Sequence, residues 1–293
     1  MAEKNMTALV SCFARAYHSK NFDHKIFDDY IAENILSKEE YESISKNMTD
    51  GILFFNPNFQ GTKEEALKFI VNNQLSPSVL GRSAFAEKSL ERDISLGLKQ
   101  YLIFASGYDT YAYRNNDIEV FEMDKEEMIN DKIRRLENAD IDYSKTNFIS
   151  IDFIDESWLD NLVNSKYNRN LKTFCSLLGI SYYLKQGDFY RILNDISSVL
   201  CKGSTIVFDY PIFEESAKEK INQQLAKGAN EEMKSKYSLQ ELEQKLQEFD
   251  LLIYENLTDK DMTEQYFKEY NLNNKDYQMK APSGVNYCLA VKK

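Results

Sequence analysis

With 293 residues, 43% hydrophobic and 28% charged, the chain has the size and make-up of one large globular domain or two small ones. Its net charge of −11 and isoelectric point near 4.9 disfavour binding to a phosphate backbone, so nucleic acid is not an expected partner. Four cysteines without CxxC spacing, and only two histidines, His18 and His24, leave little for disulfides, a zinc site or a Ser-His-Asp triad.

The first residues, MAEKNMTALV, lack the apolar core of a secretory signal, and no apolar run is long enough to cross a bilayer. The expectation is a cytoplasmic protein with no membrane partner. Apolar residues at Ala8, Leu9, Phe13, Ala16 and Tyr17 predict a helix over Met6 to Tyr17. Phe27 to Leu36 predicts a second helical piece, with Asp28 and Asp29 as helix-start acids. Residues 37–61 are polar and irregular, so Phe54 and Phe55 are expected to pin a loop. Helices are predicted over Lys63 to Asn72, ended near Pro77, and over Ser78 to Leu98. Read alone, Arg82 in the latter is an exposed helix arginine.

The informative stretch is Lys99 to Asp124, KQYLIFASGYDTYAYRNNDIEVFEMD. Tyr101 to Phe104 is a continuous apolar run, as in a parallel strand buried on both faces. Ala105-Ser106-Gly107 turns the chain at its end. A second strand, around Ile118, Val120 and Phe121, ends in Glu122-Met123-Asp124. In open α/β sheets ligands bind beyond the carboxyl ends of strands, so turn and acids share one crevice. An acid there can hold a ribose, with Asp124 favoured and Glu122 as rival. A dinucleotide fingerprint has three glycines, but its slots here hold Ala105, Gly107 and Thr110. Asp109 would repel a pyrophosphate, whereas the ammonium and sulfonium of S-adenosylmethionine favour a carboxylate. An ordinary tight turn remains the bland alternative.

Beyond it, Lys125 to Asn138 predicts a helix and Thr146 to Asp152 a third strand. Leu171 to Leu178 predicts a fourth strand, Asp188 to Leu200 a helix and Ser204 to Tyr210 a fifth strand. The charged stretch 211–237 reads as a helical insertion. Ser238 to Phe249 carries a Ser238–Glu241 capping-box pattern. A sixth strand, Leu251 to Leu257, a helix, Asp261 to Tyr270, and a closing strand, Asn286 to Val291, complete the chain. The alternation implies a mainly parallel sheet with helices on both faces, and the last strand is free to run antiparallel. Cys175 and Cys201 lie in apolar runs, so buried free thiols are favoured.

FASGYDTYAYR resembles the LGAGLDTRAYR signature of the leucine carboxyl methyltransferase family, which includes bacterial O-methyltransferases. VFEMD is similar to its EVD motif, and TALVSCFARAYHSKNFDHKIFDDYIAENIL to its TA, RA and FDD-A opening. The likeness runs from about Met6 to Pro211. It implies a Rossmann-like class I methyltransferase sheet in one domain. The expected parts are an N-terminal helical cap over 1–78, a cofactor core over 79–210, the insertion and a C-terminal part over 238–293. It implies S-adenosyl-L-methionine as cofactor, bound by Arg82, Ala105, Ser106, Gly107, Asp109 and the second-strand residues Glu122, Met123 and Asp124. Arg82 would meet the cofactor's carboxylate, a good use of a bidentate arginine. Asp152 and Phe153 would frame the adenine, a role placed ahead of the alternative in which Asp152 caps the helix near Ser157. Glu87 stands where the family has Asp or a similar residue. Leu178 opens LGISYYL where the family has EGLLMYL, so the acid near the cofactor's amino-acid end is missing. Asp109 or a carbonyl is left to satisfy the ammonium.

The function expected is O-methylation of a carboxylate or hydroxyl on a small molecule or peptide, with no metal and no catalytic residue named. A carboxylate acceptor needs no base, while a phenol does. An NAD-dependent oxidoreductase and a catalytically inactive binding protein of the same fold remain alternatives.

Overall fold

Alternation along the strands settles the architecture. In the computed structural model, which describes residues 6–115, 117–153, 155, 157–213 and 235–293, Tyr101 and Ile103 face one hydrophobic core. Leu102 and Phe104 face a second. Their strand, β1 (Gln100–Phe104), is buried along its whole length. It pairs in parallel with β2 (Glu119–Asp124) on one side and β4 (Thr173–Leu177) on the other. With β3 (Thr146–Ser150), β5 (Thr205–Pro211), β6 (Leu251–Leu257) and β7 (Val285–Lys292), the sheet order is β3-β2-β1-β4-β5-β7-β6. The first five strands are parallel, and β7 runs antiparallel between β5 and β6. The expected α/β sheet with an antiparallel last strand is therefore present.

The face carrying Tyr101 packs on α1 (Met6–Asn21), a long helix α2 (Ser76–Ser95) and α3 (Glu126–Asn138). The other face packs on α4 (Trp158–Val163), α5 (Gln186–Val199) and α6 (Leu239–Glu248). Helices on both faces follow from βαβ crossovers of one hand.

The N-terminal part departs from the sequence reading. Residues 37–61, expected to be irregular, contain a helix, Lys38–Asp50, closed by a Ser37–Glu40 capping box. Phe54 and Phe55 fall in a short helix, Ile52–Phe55, rather than a pinned loop. The segment from Phe27 to Leu36 is helical only over Ala32–Ile35. Pro77 does not end the helix Lys63–Ile70. A π-helical turn, Val71–Leu75, carries it into α2, where proline sits in the first turn and its missing N–H costs nothing. The predicted Asp261 to Tyr270 helix is two, Asp259–Tyr266 and Lys268–Asn273. Ser238 caps α6 by accepting from the Glu241 N–H at 3.2 Å. Residues 214–234 of the expected insertion lie outside the described residues. Cys12, Cys175 and Cys288 are buried free thiols, and Cys201 is a free thiol of intermediate exposure.

Neither histidine reaches the carboxyl ends of the strands. His24 is exposed, and His18 is fully buried in α1 against Phe22 and Tyr270. His18 Nε2 accepts from the Ile26 N–H at 3.0 Å, so this nitrogen is unprotonated. Burial and, secondarily, Lys25 lower its pKa to about 4. The unfolded chain then takes up a proton first as pH falls below 6.5, so this contribution to stability is lost between pH 6.5 and about 4. The loss should approach 3 kcal/mol. Denaturant unfolding of the protein and of His18→Gln, at pH 7 and pH 4.5, measures it as the difference between the two. Glutamine can still accept from Ile26, and a difference independent of pH would contradict the assignment.

Candidate functional site

At the carboxyl end of β1 the chain reverses direction between neighbours: β2 lies on one side and β4 on the other. That switch point opens a cavity of about 630 Å³. Its floor is the turn after β1. Ala105 has φ +50° and Gly107 φ +47°, both left-handed. Alanine holds this conformation at a cost of about 1–2 kcal/mol. A Cβ at Gly107 would meet Ala8 of α1 only at ordinary contact distance, 3.5 Å, so it is the left-handed backbone that favours glycine there. The Ser106 N–H donates to the Met123 carbonyl at 3.1 Å, and the Gly107 N–H to Asp124 Oδ2 at 2.8 Å. The turn is thus bolted to the end of β2.

The roof is α1. Ala8, Ser11 and Arg15 stand at i, i+3 and i+7 and present one face to the cavity. Arg15 Nε donates to Asp29 Oδ2 at 2.8 Å, and its Nη2 to the Tyr108 carbonyl at 2.6 Å. Asp29 Oδ1 accepts from Thr110 Oγ1 at 2.6 Å and from the Ala32 N–H at 3.1 Å. Arg114 Nε lies 3.6 Å from Asp29 Oδ1, and its Nη1 and Nη2 both bind the Glu87 carboxylate of α2. Burial raises the Asp29 pKa, but Arg15, Arg114 and Thr110 pull harder and hold the carboxyl below its usual range. Asp29 is therefore a buried hub as well as an acid at the start of the helix Ala32–Ile35, from whose first N–H it accepts.

Seven of the expected cofactor residues line the cavity: Arg82, Ala105, Ser106, Gly107, Asp109, Asp124 and Leu178. Asp124 is pushed up by burial, against N–H groups of Gly107 and Lys125 that each donate to it at 2.8 Å. Asp109 Oδ1 accepts from the Tyr111 N–H at 2.8 Å. Arg82 Nη2 makes a long contact of 3.4 Å to Ser11 Oγ, and its Nη1 is 3.9 Å from Asp209 Oδ2. Ser106 Oγ, 6% exposed as a residue, has no hydrogen-bond partner among the described residues.

The other four do not line it. Glu122, two residues before Asp124 on β2, is fully buried, with one oxygen on the Lys132 ammonium and the other accepting from Tyr113 Oη at 2.8 Å. It is a structural ion pair, which corrects its standing as a rival ribose ligand. Met123 is buried and contributes only its carbonyl, to Ser106. Asp152 is half-exposed, 3.7 Å from Lys125 Nζ. Phe153 packs on Trp158 and Phe104, with ring centroids 5.4 and 6.0 Å away. Missing from the sequence reading were Ser11 and Arg15 of the roof, and Ser83, Met128, Ser176 and Tyr183 of the walls. The helical spacing of Ala8, Ser11 and Arg15 was the available signal.

These residues suit a nucleoside joined to an amino acid. A carboxylate and a turn sit at one end, Arg82 at the other, and an orphaned buried hydroxyl, Ser106 Oγ, lies between. A pyrophosphate would face Asp109 instead of a row of N–H groups.

The model of the leucine carboxyl methyltransferase family matches residues 8–197. YktD of Bacillus subtilis (strain 168), whose name proposes an S-adenosyl-L-methionine-dependent methyltransferase, is 36% identical over 308 residues, covering 99% of each chain. Among solved structures, a DUF574 family protein from Streptomyces avermitilis MA-4680 matches with TM-score 0.59 at 12% identity, covering 97% of both chains. A candidate methyltransferase from Thermobifida fusca YX matches with TM-score 0.53 at 15% identity, covering 98% of this chain and 94% of its own. The structural likenesses show the fold.

Asp124→Ala should weaken adenosylhomocysteine binding by about 2–4 kcal/mol, through lost charge-assisted hydrogen bonds. Glu122→Ala should instead destabilise the fold by about 3–5 kcal/mol, because it strands a buried Lys132, and leave the affinity of the folded protein unchanged. Calorimetry paired with denaturant unfolding separates the two.

Proposed function

Since the chain belongs to the leucine carboxyl methyltransferase family and is an S-adenosylmethionine-dependent methyltransferase, we propose that it methylates a carboxylate of a small molecule or peptide. The cofactor supplies a methyl group on a positively charged sulfur. The observation that carries the reading is the make-up of the cavity wall. It holds Arg15 and Arg82 but, among the described residues, no histidine, lysine or cysteine. A carboxylate acceptor, with pKa near 4, arrives ionised and needs no base, whereas a phenol, near 10, does. The acids of the wall have other tasks. Asp124 holds the turn through Gly107, and Asp109 caps the Tyr111 N–H while placing negative charge where a sulfonium is favoured. A net charge of −11 argues against a nucleic-acid acceptor.

Arg82 would hold the cofactor's carboxylate and Asp124 its ribose, with Asp109 and the α1 roof lining the same cavity. The α1 roof, held down by Arg15 on Asp29 and Tyr108, covers one side of the cavity. An anionic acceptor and a cationic donor cancel charge as they react, so a dry enclosure favours the step.

Transfer to a carboxylate acceptor should therefore stay level between about pH 8 and 9, where Glu87, pushed up to about 7, is already ionised on Arg114 and nothing else need lose a proton. Methyl-ester formation from a panel of carboxylic acids and phenols, followed against pH, is the test. Transfer confined to phenols, with a rate rising toward the phenol's pKa, would overturn the carboxylate reading. Arg82→Ala should lower adenosylhomocysteine affinity by at least a hundredfold, and Arg82→Lys should recover little because lysine lacks the planar fork.

A further inference from the structure

Asp209, near the end of β5, is 1% exposed and lies behind the cavity wall rather than in it. Its Oδ1 accepts from the Gly179 N–H at 2.7 Å, and its Oδ2 from Tyr182 Oη at 2.9 Å. Its carbonyl accepts from Ser181 Oγ at 2.7 Å. Every one of these contacts reaches into the loop after β4. That loop begins with Leu178, the position where the resembled motif has an acid. Arg82 lies over the same loop: a Cβ on Gly179, whose φ is +71°, would stand 2.8 Å from Arg82 Cζ. The loop is thus fixed from behind by Asp209 and covered in front by Arg82.

A trans peptide holds its C=O opposite its N–H. The Gly179 N–H points back to Asp209, so the Leu178 carbonyl of the same peptide points away from it. Leu178 and Gly179 themselves line the cavity. We propose that Asp209 is the positioning residue for the cofactor's ammonium. It turns the Leu178 carbonyl toward the cavity as an acceptor, and its charge, 3.9 Å from Arg82 Nη1, offsets the guanidinium so that a cation is tolerated beside it. Asp209 thereby does from behind the loop what a carboxylate at position 178 would do from within the cavity. This rests on the placement of the cofactor's amino-acid end beside Arg82.

The test is calorimetric binding of adenosylhomocysteine and of its deaminated and decarboxylated analogues. The unaltered protein should bind both analogues more weakly than the parent compound. Equal affinities for all three would overturn the placement itself. Asp209→Asn keeps an acceptor for Gly179 but removes the charge. It should weaken adenosylhomocysteine and the decarboxylated analogue, which both carry the ammonium, by roughly tenfold. The deaminated analogue, which carries only the carboxylate, should bind as before or more tightly. A purely structural role for Asp209 would weaken all three alike, and that result, or no loss at all, overturns the inference. Asp209→Ser, smaller and also neutral, gives the same comparison should the asparagine variant not fold. Leu178→Glu added to Asp209→Asn should restore the preference for the ammonium.

Discussion

Burying Asp29 makes the enclosed site possible. A carboxylate 1% exposed is tolerated only when its charge is matched and its lone pairs are filled. Here Arg15, Thr110 and the Ala32 N–H fill them, and Arg114 completes the charge balance. Arg114 in turn binds Glu87, whose carboxyl burial pushes up to about 7 against the pull of that guanidinium. The chain of ions joins α1, the loop before the second helical piece, the turn after β1 and α2. Each of these elements forms a side of the cavity or abuts one. Loosening any member would strand the others as buried charges, so the roof and floor are stable only together.

This divides the FASGYDTYAYR stretch into two roles. Ala105, Ser106, Gly107 and Asp109 line the cavity, whereas Thr110 and Arg114 do not. Thr110 and Arg114 belong to the ion network and hold the turn against the N-terminal part. A signature that looks like one motif is a cavity-lining turn followed by its clamp. Glu122 plays a similar supporting part beneath, pairing with Lys132 and Tyr113 to fasten β2 to α3 and to the short helix after the turn.

The sheet was legible because central parallel strands are continuous apolar runs, and β1, β4 and β5 are buried throughout. The carboxyl-end turn and Asp124 followed from where such strands end. The N-terminal part was less legible because its order comes from long-range ion pairs. Nothing near Asp29 in sequence shows that it meets Arg114, 85 positions on; local spacing offers only a helix-start acid. Glu122 misled for the same reason. Period two puts it on the face of Asp124, but its burial and its Lys132 partner, ten residues on in a helix, decide its function. The helix over Lys38–Asp50 was readable in principle from Ser37 and Glu40, whose box closes it.

Leu178 and Asp209 show why a missing residue is not a missing function. A carboxylate inside the cavity would face both the ammonium and Arg82, and would compete with the cofactor's carboxylate for the guanidinium. Set behind the loop, with both oxygens occupied by Gly179 and Tyr182, the charge of Asp209 still acts through a low-dielectric wall, but its lone pairs are withdrawn from that competition. Arg82 keeps donors facing the cavity while its excess positive charge is partly balanced. The leucine then adds apolar wall where water would otherwise be drawn in. The cation's acceptor becomes a backbone carbonyl whose direction is fixed by the peptide plane and by a glycine with positive φ. Position 178 is thereby released from supplying charge, provided that Gly179 stays a glycine and Asp209 an acid.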